Sequence, residues 1–187
     1  MQPINDFLQH ADWTFPVPIA YGPGRFEELP GHCHRLGLSS PLIITDCGTA
    51  SLGFVADAAD LLAHAGIVST VFHNISQNPT EIDVRNAHSV FRAGNHDGVI
   101  AIGGGSGMDA GKATVLLAGT KHDLWEHDFE KVPPELDPAG KFPPLICIPT
   151  TSGTGAETES TAMITNLDRG MKLCVWHPLL KPKLAIL

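Results

Sequence analysis

The chain has 187 residues, 43% hydrophobic and 17% charged, enough to bury a core and suited to a single domain spanning residues 1–187. A formal net charge of −8 and a pI near 5.6 argue against nucleic acid or an anionic membrane as partner, and no basic cluster offsets them. No apolar run approaches the roughly 20 residues a membrane span needs, and Met1 to His10 carries Asp6 but no basic region of the secretory kind. Four cysteines are scattered without a C-x-x-C pair. They read as small buried hydrophobes in a reducing cytoplasm, the expected location.

Along the chain, short apolar runs alternate with amphipathic ones. Phe15 to Ala20 predicts a first strand, then a turn at Gly22-Pro23-Gly24 and a short helix over Arg25 to Leu36, interrupted at Pro30. Leu42 to Thr45 predicts a buried strand, and Phe54 to Ala65 has helical apolar spacing. Val68 to Phe72 predicts a strand, and Thr80 caps a helix running to Ala93. Gly98 to Ile102 predicts another buried strand, and Lys131 to Pro144, with five prolines, a surface loop. Leu145 to Ile148 follows as a strand, then three short strands at Thr161–Thr165, Met171–Trp176 and Lys183–Leu187. This order implies a Rossmann-like α/β fold, a parallel sheet with helices on both faces. A chain ending on the apolar run Leu184 to Leu187 is expected to be excised from something longer.

Three features carry chemistry. After the strand ending at Ile102 come Gly103-Gly104-Gly105-Ser106-Gly107-Met108-Asp109-Ala110-Gly111-Lys112. Consecutive glycines let backbone N–H groups approach an anion, and the helix that follows aims its positive end at the same place, so a phosphate or pyrophosphate is the natural guest. The plainer alternative is a tight turn. This is not a P-loop, because Ser106 stands where its first glycine belongs and Ala113 follows Lys112. Gly105 to Ala110 satisfies G-x-G-x-x-A but lies far from the first βα unit, where that fingerprint belongs. Lys112 reads as an ordinary helix residue.

The second feature, Pro149-Thr150-Thr151-Ser152-Gly153-Thr154-Gly155-Ala156-Glu157, also follows a strand and offers four hydroxyls at the ligand-binding edge of the sheet. The alternative is a Ser/Thr helix cap with Glu157 and Glu159 in the first turn. The third is Asp46, just past the strand Leu42 to Thr45. A carboxylate there accepts hydrogen bonds from the ribose 2′-hydroxyl of NAD and repels the 2′-phosphate of NADP; otherwise Asp46 is a turn residue before Gly48.

Gly-Gly-Gly-Ser-x-x-Asp-x-x-Lys (103–112) followed by Pro-Thr-Thr-x-Gly-Thr-x-x-Glu (149–157) resembles the iron-containing (group III) alcohol dehydrogenases. Ile19 to Gly24, Asn78-Pro79-Thr80, Lys172 and Pro182 to Ile186 agree. The resemblance spans the chain but implies only the N-terminal dinucleotide-binding domain, the all-helical metal-binding domain being absent. It implies that Asp46 takes the adenosine ribose and that Asn78 lies near the pyrophosphate or ribose. Gly104, Gly105, Ser106 and Asp109 would wrap the pyrophosphate and nicotinamide ribose, Thr150, Thr151 and Thr154 would line the cleft, and Lys172 would reach a ribose hydroxyl. It further implies hydride transfer between NAD (NADP less favoured) and a small-molecule alcohol or aldehyde, with Fe²⁺ or Zn²⁺ held elsewhere in a full-length homo-oligomer. A glycerol dehydrogenase- or dehydroquinate synthase-like member of the wider superfamily, or a stand-alone NAD-binding module, are the alternatives.

Ten histidines invite metal-site matches, and Asp6/His10, Asp60/His64 and Asp123/His127 all have Asp-x3-His spacing. None is followed by two further histidines in a helical context, so no metal site is expected within the chain.

Overall fold

The computed structural model describes residues 10–136 and 141–187; Asp6 and part of the proline-rich loop lie outside them. The elements in chain order are β1 (Ala11–Trp13), β2 (Ile19–Tyr21), α1 (Leu29–Arg35), β3 (Pro41–Ile44), α2 (Gly53–His64), β4 (Thr70–Phe72) and α3 (Glu81–Ala93). They continue with β5 (Gly98–Gly103), α4 (Gly105–Gly119), β6 (Leu145–Pro149), β7 (Thr161–Asn166), β8 (Met171–Trp176) and β9 (Leu184–Ile186).

Seven strands form one sheet in the order β1-β2-β9-β6-β5-β3-β4. All pairs are parallel except β1 with β2. A strand buried on both faces must be apolar at every position, and alternate residues then feed opposite layers. Ile43, Ile100, Ile102, Ile146 and Ile148 pack with Leu29 and Cys33 of α1 and Val55, Ala58 and Leu62 of α2. Leu42, Ile44, Val99, Ala101, Leu145 and Cys147 pack on the other face with Ala87 and Phe91 of α3 and Met108 and Val115 of α4. Helices thus cover both faces, as the alternating pattern predicts.

The chain runs from β3 outward to β4, then returns to the far side of β3 for β5 and continues to β6. The strand order therefore reverses between β3 and β5. The loops leaving those two strands diverge and leave a crevice at the carboxyl edge of the sheet.

Several boundaries differ from expectation. The strand expected over Phe15 to Ala20 is β2, which starts only at Ile19, because Pro16 and Pro18 have no N–H to give a ladder. The helix expected over Arg25 to Leu36 is a 3-10 turn, Arg25–Glu28, followed by α1 with Pro30 in its first turn. No helix follows the threonine-rich segment; residues 150–160 are turns leading into β7. The last three strands separate: β7 and β8 form an antiparallel hairpin apart from the main sheet, whereas β9 inserts between β2 and β6.

Candidate functional site at the sheet crevice

Asp46 lies two residues past β3, after Thr45, and its carboxylate organises the turn there. Oδ1 accepts the N–H groups of Gly48 at 3.0 Å and Thr49 at 2.9 Å, and Oδ2 accepts the Thr49 hydroxyl at 2.7 Å. The turn role is therefore real. Asp46 is also half-buried at the crevice: a Cβ on Gly103 would lie 3.0 Å from its Oδ2, 3.4 Å from Thr49 Oγ1 and 3.7 Å from Thr45 Oγ1. The loops after β3 and β5 touch here, and at Gly103, with φ +140°, only glycine is unstrained.

Gly104 is the N-cap of α4 at φ −80° and has no side chain with which to cap the helix. The first intrahelical bond runs from Met108 N to Gly104 O, so the amides of Gly105, Ser106 and Gly107 precede the helical ladder. This end of α4 is bare backbone carrying the positive pole of a helix of 15 residues. Gly107 and Gly111 serve a different purpose. A Cβ on Gly107 would meet the Ile102 carbonyl at 2.9 Å and one on Gly111 the Ala101 Cβ at 2.7 Å, so they let α4 lie close against β5.

The threonine segment closes the other side. Thr150 N donates to Gly103 O at 2.9 Å, tying the start of that loop to the glycine turn. Exposed Thr151 and Thr154 stand over the turn, their Oγ1 atoms 3.4 Å and 3.9 Å from where Cβ atoms on Gly104 and Gly105 would be. Thr154 Oγ1 also accepts the Ala156 N–H at 3.3 Å, which shapes its own loop rather than capping a helix. The Ser106 hydroxyl donates to the Gln77 carbonyl and so holds the loop that presents exposed Asn78.

Asp109 does not face the glycine turn alone: its mostly buried carboxylate is 3.7 Å from Lys112 Nζ, with the Met163 N–H near it. Burial pushes its pKa up, against the pull of Lys112. Exposed Lys172, on β8 opposite Thr165, also lowers it. The structure thus brings Asp46, Gly104, Gly105, Thr150, Thr151 and Thr154 to one edge. Ser106 borders it beside Asn78, and Asp109 and Lys172 belong to its α4–hairpin side. Sequence reasoning missed Lys112, treated as an ordinary helix position although it is fully buried. It also missed Thr49, which hydrogen-bonds Asp46 but sits in no recognisable motif.

Two of the three Asp-x3-His pairs lie within the described residues, and neither is arranged as a pair of metal ligands; Asp6 lies outside them. His64 Nδ1 bonds the Asp60 backbone carbonyl at 2.7 Å, not its carboxylate. Asp123 caps and His127 ends the 3-10 turn Leu124–His127, whose geometry does not stack positions four apart as an α-helix does. Asp123 instead pairs with Arg85 at 2.6 Å. Among the described residues no group of three or more His, Cys, Asp or Glu side chains is placed to hold a metal ion. No helix among them is long and apolar enough to cross a membrane.

A doubly wound α/β domain whose crevice is lined by a glycine turn, a bare helix end and threonine hydroxyls belongs to the nucleotide-binding class of architectures. The chain is a member of the iron-containing alcohol dehydrogenase family, whose model matches residues 16–187. It is 38% identical over 166 residues to 4-hydroxybutyrate dehydrogenase of Cupriavidus necator, covering 87% of this chain and 42% of that protein. It is 32% identical to choline dehydrogenase of Bacillus subtilis, over 93% of this chain and 43% of the relative. Among solved structures, sulfoacetaldehyde reductase of Bifidobacterium kashiwanohense in complex with NAD+ superposes with TM-score 0.81 at 30% identity, covering 95% of this chain and 45% of the other. The chain therefore spans less than half the length of these relatives.

Proposed function

We propose that this chain is the nucleotide-binding half of an oxidoreductase that transfers a hydride between NAD and a primary or secondary alcohol or its carbonyl form. The observation that carries the reading is the meeting of Asp46 with the glycine turn at the point where the strand order reverses. There the pyrophosphate would lie on the bare end of α4 under Thr151 and Thr154, with the adenosine ribose hydroxyls on Asp46. Asn78 and Lys172 would meet the ribose and pyrophosphate from the other side. The similarity to a reductase solved with NAD+ and to several alcohol dehydrogenases supports this assignment.

A divalent metal, Fe²⁺ or Zn²⁺, enters the reading only for the full-length protein, where it would polarise the substrate oxygen. The described residues assemble no ligand set for it, so the chain alone is expected to bind nucleotide without turning over alcohol. A cytoplasmic homo-oligomer acting on a small-molecule substrate completes the reading.

The test is calorimetric titration of the chain with NAD⁺ and NADP⁺. NAD⁺ binds more tightly, because the 2′-phosphate of NADP⁺ would face the Asp46 carboxylate, a like-charge contact costing roughly 1–3 kcal/mol. Asp46→Gly relaxes the preference and also lowers stability, since the Gly48, Thr49 and hydroxyl donors lose their acceptor. Tighter NADP⁺ binding by the unaltered chain refutes the cofactor assignment.

A further inference from the structure

Lys112 is wholly buried, and among the described residues no fully buried side chain is larger. Burying an ammonium is costly unless it is paired and hydrogen-bonded, so this position calls for an explanation. Its Nζ donates to the Thr161 carbonyl at 2.6 Å and lies 3.7 Å from Asp109, one turn earlier on α4. The Met163 N–H lies near the Asp109 carboxylate and helps to lower its pKa. One residue pair further along β7, Thr165 N donates to the Pro79 carbonyl at 2.7 Å.

These contacts form a pattern. Thr161, Met163 and Thr165 alternate along β7, whose other edge is occupied by β8. In an antiparallel strand, alternate residues turn their backbone groups to the same side. On the side away from β8, the Thr161 carbonyl accepts from Lys112 and the Thr165 N–H donates to Pro79, with the Asp109 carboxylate near Met163 between them. The Asp109–Lys112 pair occupies the place of a neighbouring strand, Lys112 supplying the donor for the Thr161 carbonyl and Asp109 the countercharge that holds Lys112 there. A hydrophobic pair would fill the volume but would offer β7 no partners, and the hairpin could slide along α4.

The hairpin carries Lys172, paired across the ladder with Thr165, and Lys172 is close enough to Asp109 to lower its pKa. We propose that Lys112 and Asp109 are positioning residues that clip the β7–β8 hairpin to α4 and so fix Lys172 relative to the glycine turn where that helix begins. The clip is a statement about the chain alone; its bearing on cofactor binding rests on the function proposed above.

Two measurements on the 187-residue chain test it. Lys112→Met keeps the apolar stem and removes the charge. Hydrogen exchange at the Thr165 amide, which bonds Pro79 on the same edge of β7, accelerates at least tenfold in this variant and in Asp109→Ala, while amides in the middle of α3 keep their protection. Unchanged protection of Thr165 overturns the clip, whether or not the chain binds nucleotide. If Lys112→Met does not fold because Asp109 is left unpaired, the combined Asp109→Ala/Lys112→Met variant removes both charges and is read in the same way.

The second measurement is a double-mutant cycle in NAD⁺ affinity. Lys112→Met and Lys172→Ala each weaken binding about tenfold. Their combination is no weaker than the worse single variant, because both remove the same contact. Losses that multiply to about a hundredfold show that Lys112 acts independently of Lys172 and overturn its positioning role. Failure of the unaltered chain to bind NAD⁺ refutes the proposed function instead, and the exchange measurement alone then decides the clip.

Discussion

Gly105 shows how a residue can be required by a ligand and not by the fold. It is the first residue of α4, and it is not among the glycines with positive φ. A Cβ there would meet only Thr154 Oγ1, at an ordinary 3.9 Å. Alanine also has the better helix propensity, by about 0.8–1 kcal/mol in a helix interior and less at its first turn. Gly105→Ala therefore leaves the melting temperature unchanged or slightly raised without nucleotide, but weakens NAD⁺ binding more than tenfold, above ~1.4 kcal/mol. Gly103→Ala is the control that reverses this ranking, since φ +140° and the 3.0 Å approach of Asp46 strain the folded chain itself. Native NAD⁺ affinity in Gly105→Ala would mean that the ligand does not lie on this backbone. The glycine run was legible in the sequence because it follows an apolar strand directly. Which glycine carries the positive φ was not, because that depends on how the chain leaves β5. The burial of Lys112 was equally invisible, as its partner Thr161 lies 49 residues away.

At the scale of elements, local chemistry was read well and tertiary chemistry poorly. Thr80 was expected to cap a helix, and it does so with both halves of a capping box. Its hydroxyl accepts Asp83 N at 3.2 Å, and Asp83 Oδ2 accepts Thr80 N at 2.9 Å. Thr80→Ala removes one half and costs about 1 kcal/mol, lowering the melting temperature by roughly 2–4 °C in a domain of this size. Thr80→Ser restores the hydroxyl and recovers most of the loss; a Thr80→Ala chain that melts with the wild type would show that the box contributes nothing. By contrast, β1 gave no signal, because Ala-Asp-Trp has no run of apolar residues and its pairing to β2 is set by the fold. The separation of β7 and β8 from the main sheet was hidden for a similar reason. Alternate residues of β7 are buried against α3 and α4, a packing that reads like any half-buried strand.

For the molecule as a whole, burial of histidine makes stability depend on pH. His127 is fully inaccessible, and neither ring nitrogen has a hydrogen-bond partner. Its ring stands edge-on to His122 and His177, with centroids 6.2 Å and 5.9 Å away. Burial first, and then the charges that His177 and His122 would carry, push its pKa down from 6.5 to about 4; Glu126 and Asp123 oppose this only weakly. The unfolded chain therefore binds the proton more readily than the folded one between these values. Stability from this site is complete above about pH 6.5 and is lost progressively as the pH falls toward 4. The full difference corresponds to an upper value of about 3 kcal/mol, and the ring contacts with two other histidines make roughly 1–3 kcal/mol the expected range. Urea unfolding at pH 7.5, 6.0 and 4.5 measures it, provided the same series is run on His127→Leu. Carboxylates elsewhere contribute equally to both chains, so the difference between the two series isolates the buried ring. The variant gives up the imidazole shape and starts less stable at pH 7.5, but its unfolding midpoint declines less steeply toward pH 4.5 than that of the wild type. Parallel declines in the two chains would mean that His127 carries its proton as easily folded as unfolded, and that the three-histidine contact between the 3-10 turn and the end of β8 is open to water.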